Sequence, residues 1–397
     1  MGTSRVLRLL AVAGALPLLL TSLASPATAV DSWAVPRQAW ITIKGHGYGH
    51  GHGMSQYGAE GAARRGLTYR QIAEFYYPGT TWGLAGGRVR VQISADTTDD
   101  LVVLARPGLR LRDAGTGSTT TLPDNGATRW RILVDSAGEN RVGYFTNRWR
   151  AWGGLKGAGS FSAGRAPVTL VTPSGNRPYR GRLVAAAPSA GSRARNTINV
   201  LGLDSYLKGV VPLEMPALWS PAAVRAQAVA ARTYAAYERA HRTEPLCDTT
   251  SCQVYGGYAA EHDASNDAIE ATARRVLLHR GAPAFTQFSS SSGGWTSAGS
   301  APYLTAKADP YDDWAGNPVH TWSVRVQDTL VESKWPGVGN LTRIRVNRRD
   351  GNGEWGGRVL SVTLVGGRGQ VTVSGDTLRS VLGLRSTWVT FVVRQRG

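Results

Sequence analysis

The sequence predicts an α+β fold in which β-rich lobes surround a small helical core. Residues 88–199 carry short apolar or alternating runs (RVRVQIS, LVVLA, LRLRD, RWRILVD, APVTLV) separated by Gly, Pro and Asn/Asp turns. Comparable runs return from Thr342 onward (TRIRVNR, RVLSVTLVG, GQVTVSG). Between these blocks, Ser220-Pro221 reads as an N-cap and first helical position, opening an alanine-rich helix to about His241. The expected division is a signal peptide over 1–29 and a glycine/histidine segment over 30–87 that packs on the catalytic core. A β-rich lobe over 88–199 and the catalytic core with C-terminal strands over 200–397 complete it.

The first element is a targeting segment. Arg5 and Arg8 precede an apolar run from Leu9 to Leu23, and Ala27-Thr28-Ala29 forms a small-residue cleavage site. The expectation is a secreted or wall-located protein, with membrane contact only during export. Formal net charge is +18, of which Arg5 and Arg8 supply two units. Inside a cell that balance points to nucleic acid. Outside it, the available polyanions are wall polymers and acidic peptides, so nucleic acid is not expected as a partner. The two cysteines, Cys247 and Cys252, read as one short-loop disulfide in an exported chain.

Ile41 to Tyr57, ITIKGHGYGHGHGMSQY, is read as extended chain, with His46, Tyr48, His50 and His52 on one face and glycines on the other. Such glycines let a backbone or a sugar approach closely. Closely spaced histidines raise a metal site, but no acidic residue stands nearby to complete one. Thr68 and Gln71 form a capping box for a short helix that Pro78-Gly79 ends. In the β-rich block, Trp130, Trp149, Trp152 and Tyr179 suit sugar stacking or, more commonly, aromatic core. A second helix is expected from Ser265 to His279, stopped by Gly281. The polar loop Ser289, Ser290, Ser291, Ser292 follows, rich in groups that suit sugar hydroxyls.

One carboxylate stands apart. Glu214 lies between Pro212 and Pro216 with Leu213 and Met215 beside it, in what reads as a stiff loop. Apolar neighbours favour a neutral carboxyl, as a general acid requires. On the following helix Val224, Ala228, Ala231 and Ala235 make a narrow apolar stripe, which leaves Gln227, Arg232, Thr233 and Tyr234 to line whatever lies above Glu214. The run YLKGVVPLEMP (206–216) followed by AQAVAARTY (226–234) resembles the stage II sporulation protein D and amidase-enhancer family. Residues 49–59, GHGHGMSQYGA, resemble that family's GHGxGMSQYGA motif, with His50 on the motif histidine. The motif normally follows the catalytic segment; here it precedes it. A circular permutation accounts for the order and places Thr390–Arg394 beside Ile41–Lys44.

The resemblance implies the SpoIID-type fold, peptidoglycan glycan strands as partner, Glu214 as the catalytic residue, and no cofactor. By the same match, His50, Gln56, Tyr57, Gln227, Arg232, Tyr234 and Ser289 to Ser292 are substrate-binding candidates. Some relatives hold zinc near the cysteines, which makes His241, Cys247 and Cys252 an alternative ligand set. Ser251 stands where a further histidine would be, leaving one ligand short of a closed site. Ordinary glycoside hydrolysis uses two carboxylates; Asp204, Glu238, Asp309 and Asp312 are possible seconds. A single acid suffices if the muramic 6-hydroxyl attacks, giving a lytic transglycosylase that leaves 1,6-anhydromuramyl ends, preferably on strands stripped of stem peptides. The alternatives are a non-catalytic glycan-binding enhancer of a wall amidase and a wall scaffold.

Overall fold

The computed structural model describes residues 31–396, so the signal-peptide expectation lies outside the described residues. The fold is α+β. Strand alternation builds the β-rich block as two antiparallel sheets packed face to face. The seven-stranded sheet runs, in spatial order, Leu246–Cys247, Arg88–Gln92, Asn196–Gly202, Arg182–Ala186, Gly159–Ser162, Arg110–Asp113 and Thr119–Thr121. Only the edge strand Leu246–Cys247 pairs parallel, against Arg88–Gln92. The six-stranded sheet is Trp149–Gly154, Asn140–Phe145, Arg129–Val134, Leu101–Leu104, Val168–Thr172 and Gly175–Tyr179. Val89, Val91, Phe161 and Leu183 from one sheet and Leu101, Val103, Ile132 and Leu170 from the other bury together. Trp130 and Tyr179 join this core, whereas Trp152 is exposed and Trp149 lies under the Arg131 guanidinium at 4.1 Å.

The long helix, Pro221–His241, is the axis of the helical core. Its alanines let Gln56–Arg64, Tyr69–Tyr76, Leu203–Lys208 and Asp263–Ala271 approach closely, and the stripe Val224, Ala228, Ala231 and Ala235 is buried. Ser220 holds the N-cap position but does not cap; its Oγ donates to Glu60 Oε1 at 3.1 Å instead. The capping box of Thr68 and Gln71 is formed.

The second helix is shorter than expected. Asp263–Ala271 is helical, but Arg275–His279 is a strand between Thr81–Leu84 and Ala282–Pro283. Arg280 and Gly281, both at positive φ (52° and 79°), turn the chain, so Gly281 closes a hairpin and not a helix. The glycine–histidine segment also departs from expectation. Regular strand covers Ala39–His46 only, because Gly47, Gly49, Gly51 and Gly53 take φ of 71°, 109°, 79° and 66°. His46 is therefore set apart against Trp355 and Trp388, whereas the His50 and His52 rings stack at 4.9 Å.

A second core lies apart from the first. Val35, Ala39, Ile41 and Ile43 pack with Ile344, Val362, Leu378 and Phe391, so residues 32–46 belong with the C-terminal strands. Met54, Ala59, Ile72 and Tyr76 pack around the long helix. Strand Val389–Gln395 pairs antiparallel with Ala39–His46, Phe391 opposite Ile43 and Gln395 opposite Ala39. The adjacency required by the permuted motif order is present.

Candidate functional site

Glu214 ends a one-turn helix, Val211–Glu214, and does not sit in a loop; Pro212 is tolerated because it falls in the first turn, where no intrahelical donor is needed. Burial pushes its carboxyl above the ordinary range. Two hydrogen bonds oppose that shift only in part: the Val254 backbone N–H donates to Oε1 at 3.1 Å, and the Gln56 side chain makes the second. The carboxyl faces a cleft of about 280 Å³, at the lower edge of the roughly 300–1,000 Å³ usual for ligand sites. His50, Tyr234, Gln253, Gln287 and the disulfide-loop residues Thr250 to Cys252 line it with Glu214.

His50 enters the cleft from the glycine ribbon. Its Nδ1 accepts from the His52 N–H at 2.9 Å, which leaves the ring proton on Nε2. Burial, with His52, Arg358 and Arg379 nearby, lowers its pKa to about 3, so the ring is neutral. The glycines serve protein packing: a Cβ on Gly49 would lie 2.6 Å from Ser289 Cβ, and one on Gly53 would collide with the Gln287 carbonyl. Tyr234 also lines the cleft, its hydroxyl pushed up to about 12 by burial.

Several expected members lie elsewhere. Arg232 is fully buried, with Nε donating to Asp204 Oδ1 at 2.7 Å and its other nitrogens to the Ile269 and Arg275 carbonyls at 3.1 and 3.2 Å. Two residues turn a helix by about 200°, so Arg232 points away from the wall that Tyr234 forms. Gln227 is buried, and neither polar atom of its side chain has a protein partner. Tyr57 packs on Trp219 and Trp314 at ring distances of 4.9 and 6.2 Å and does not line the cleft.

The serine loop is structural. Ser291 Oγ donates to Asp312 Oδ2 and Ser292 Oγ to Asp309 Oδ2, each at 2.8 Å. Ser289 Oγ accepts from Gly51 N at 3.3 Å, and the Ser290 carbonyl accepts from Tyr57 N at 2.9 Å. The Ser291 and Ser292 hydroxyls thus hold the buried carboxylates Asp312 and Asp309, and none of the four serines lines the cleft.

Cys247 and Cys252 form a disulfide, which commits both sulfurs; His241 instead stacks on Tyr237 at 4.0 Å. The alternative ligand set is therefore not assembled. The possible second carboxylates are also engaged: Asp204 with Arg232, Glu238 with Arg242, and Asp309 and Asp312 in the serine network. Among the described residues, Glu214 is the carboxylate that lines the cleft. Sequence reasoning missed the Val254 N–H and the lining residues Thr250, Ser251, Gln253 and Gln287. A backbone donor leaves no signature in residue type; the short CDTTSC loop was the available hint.

The molecule is thus an α+β protein built around one desolvated carboxylate in a polar cleft. Residues 192–279 match the model of the SpoIID family, described as Stage II sporulation protein. It is 42% identical over 134 residues to the amidase enhancer of Bacillus subtilis (strain 168), covering 32% of this chain and 18% of that protein. It is 28% identical over 222 residues to stage II sporulation protein D of the same organism, covering 49% of this chain and 61% of that one. An uncharacterised protein of Brachyspira hyodysenteriae is 36% identical over 118 residues, 29% of this chain and 32% of that protein. The chain spans less than two thirds of each of these relatives.

Proposed function

We propose that this protein is exported to the cell wall and cleaves peptidoglycan glycan strands as a lytic transglycosylase. The observation that carries the reading is Glu214, a desolvated carboxyl that is the one carboxylate lining the cleft among the described residues. In the proposed reaction Glu214, protonated, donates to the glycosidic oxygen as the bond to the anomeric carbon breaks. The 6-hydroxyl of the same muramic acid attacks that carbon and gives its proton to the Glu214 carboxylate, which returns the acid to its starting state. No water is consumed, and the product is a 1,6-anhydro end. Neutral His50, the Gln56 amide and the hydroxyls of Tyr234, Thr250 and Ser251 provide donors and acceptors for sugar hydroxyls without adding charge.

Incubation with intact peptidoglycan and with strands stripped of stem peptides, followed by mass analysis, tests this. Anhydromuramyl ends weigh one water less than hydrolytic ends. Glu214→Gln should lower the rate roughly 10²–10⁴-fold while glycan binding persists. A second reading rests on the match to a protein named amidase enhancer: the chain binds glycan and stimulates a wall amidase. No release from stripped glycan, together with acceleration of an added amidase that survives Glu214→Gln, would establish that reading instead.

A further inference from the structure

The outer face of the seven-stranded sheet carries a charge pattern that the cleft does not use. Alternation sends Val89, Val91, Leu111, Phe161 and Leu183 inward and turns Arg88, Arg90, Arg110, Arg112 and Arg182 outward on one face. The register aligns them. Arg90 lies opposite Val200, Val200 opposite Arg182, Arg182 opposite Ser162, and Ser162 opposite Arg110. Two residues along, Arg112 lies opposite Ser160 and Thr119. Arg88, Arg110, Arg112 and Arg182, with Ser160 and Ser162, line a groove of about 330 Å³.

Two of these arginines meet backbone carbonyls, Arg90 Nη1 donating to Thr243 at 3.5 Å and Arg112 Nη1 to Gly117 at 3.0 Å. Among the described residues, none of the five guanidinium groups forms an ion pair. Arg182 is half-buried, its Nε has no partner, and its nearest charges are Arg88 and Arg112. The arginines lie on alternate strands, about 10 Å apart, with only Val or Ser side chains between them. The bias extends to the lobe: residues 88–199 hold 17 Lys and Arg against 7 Asp and Glu, so +10 of the chain's +18 sits there.

The partner's chemistry follows from the pattern. Guanidinium groups spaced about 7 Å along a strand and about 10 Å across alternate strands form a lattice of cations, which suits a polymer with regular anions better than one small ion. The planar fork of each arginine matches phosphate oxygens, and the interleaved hydroxyls add donors. The outward positions of these paired strands carry no aromatic side chain on which a base could stack, which argues against nucleic acid. The sheet's edge strand Leu246–Cys247 leads directly into the disulfide loop that lines the Glu214 cleft.

We propose that this arginine face binds a phosphodiester-linked polyol chain, an anionic polymer without bases, and holds it alongside the Glu214 cleft. The inference is independent of whether Glu214 is catalytic. Binding of the whole chain to a synthetic oligo(glycerol phosphate) is measured against salt, beside an oligouridylate and a polygalacturonate of matched charge. Five neutralised phosphates give a slope of log K on log salt of about −3.5, and replacing Arg90, Arg110 and Arg182 with Gln should reduce it to about −1.4. Affinity at low salt should fall at least about tenfold in that variant. Glu214→Gln should bind as the wild type does. If the triple variant melts early, Arg110→Gln alone should still flatten the slope by about 0.7. An unchanged slope and affinity in a folded variant would overturn the proposal. So would equal or tighter binding of the oligouridylate or the polygalacturonate.

Discussion

Replacing Asp312 with Ala tests whether the serine loop is held from inside. The carboxylate is fully buried and accepts from Ser55 Oγ at 2.6 Å, Ser291 Oγ at 2.8 Å, and Ser292 N, Gly293 N and Asn317 Nδ2 at 3.0 Å. His320 Nδ1 adds a charged or neutral partner at 2.9 Å. Its removal strands several buried donors and one imidazole, and breaking such a buried pair costs about 3–5 kcal/mol. A chain of this length has an unfolding entropy near 0.8 kcal/mol per kelvin, so the melting temperature should fall by about 4–6 °C. The pH dependence has a sign. Hydrogen bonds from His320, Ser55 and Ser291 hold the Asp312 carboxyl below its ordinary value of 3.8 despite burial. Its contribution is therefore present above pH 4 and is lost only as pH falls through the depressed value. His320, whose pKa the Asp312 contact raises above 6.5, contributes fully below that pH and fades as pH rises through the raised value. Calorimetry of wild type and variant from pH 3 to 9 is the assay. A variant melting within about 1 °C of wild type at pH 6 would refute the structural role assigned to the loop.

Three further outcomes follow from the site. Glu214→Gln should stabilise the fold at neutral pH and not near pH 4, because a carboxyl with a raised pKa contributes stability below its unfolded value and loses it as pH rises through the folded one; equal melting differences at both pH values would contradict the assigned burial. Gly53→Ala combines a φ of 66° with a Cβ driven into the Gln287 carbonyl, and should cost at least about 1–3 kcal/mol in a denaturant titration, where a neutral result would show that the ribbon can yield. Replacing both cysteines with Ser removes a loop closure worth about 2 kcal/mol in the chain-entropy picture. Intact mass should rise by one hydrogen per sulfur on reduction of the wild type, and stoichiometric zinc with free thiols would overturn the disulfide.

Where local chemistry decides conformation, the sequence was legible. Ser220-Pro221 marked the start of the long helix, and alanine content carried it to His241. Thr68 and Gln71 announced a capping box that is formed. Where long-range pairing decides, local pattern misled. Val276-Leu277-Leu278 reads equally as helix or strand, and the pairing with Thr81–Leu84 settles it. Alternating glycine and histidine mimics a strand, yet each odd glycine from Gly47 adopts positive φ and breaks the period. The serine hydroxyls were read as ligand donors because their partners, Asp309 and Asp312, lie 17 to 21 residues further along the chain. Helix phase alone could have separated Arg232 from Tyr234, since about 200° of rotation divides them.

The path of the ribbon is compatible with the permuted motif order that the sequence resemblance implies. His46 is fixed in the second core: Nε2 bonds Glu354 Oε2 at 2.9 Å, Ser386 Oγ donates to its carbonyl at 2.6 Å, and Trp355 and Trp388 flank the ring at 4.6 Å. Gly47 N then donates to the His320 carbonyl at 3.0 Å and Gly49 N to the Arg385 carbonyl at 2.9 Å. Only after these anchors does the chain deliver His50 to the cleft and Gln56 to Glu214. The path is set by glycine dihedrals and by partners on both cores, all downstream of strand Ala39–His46. Gln395 lies opposite Ala39, and Arg396 N donates to the Gln38 carbonyl at 2.7 Å, so a chain running from Val389–Gln395 into that strand needs only a tight turn. Either connectivity enters the ribbon at the same point and in the same direction. The order of the motifs along the chain can therefore change while the position of His50 relative to Glu214 does not.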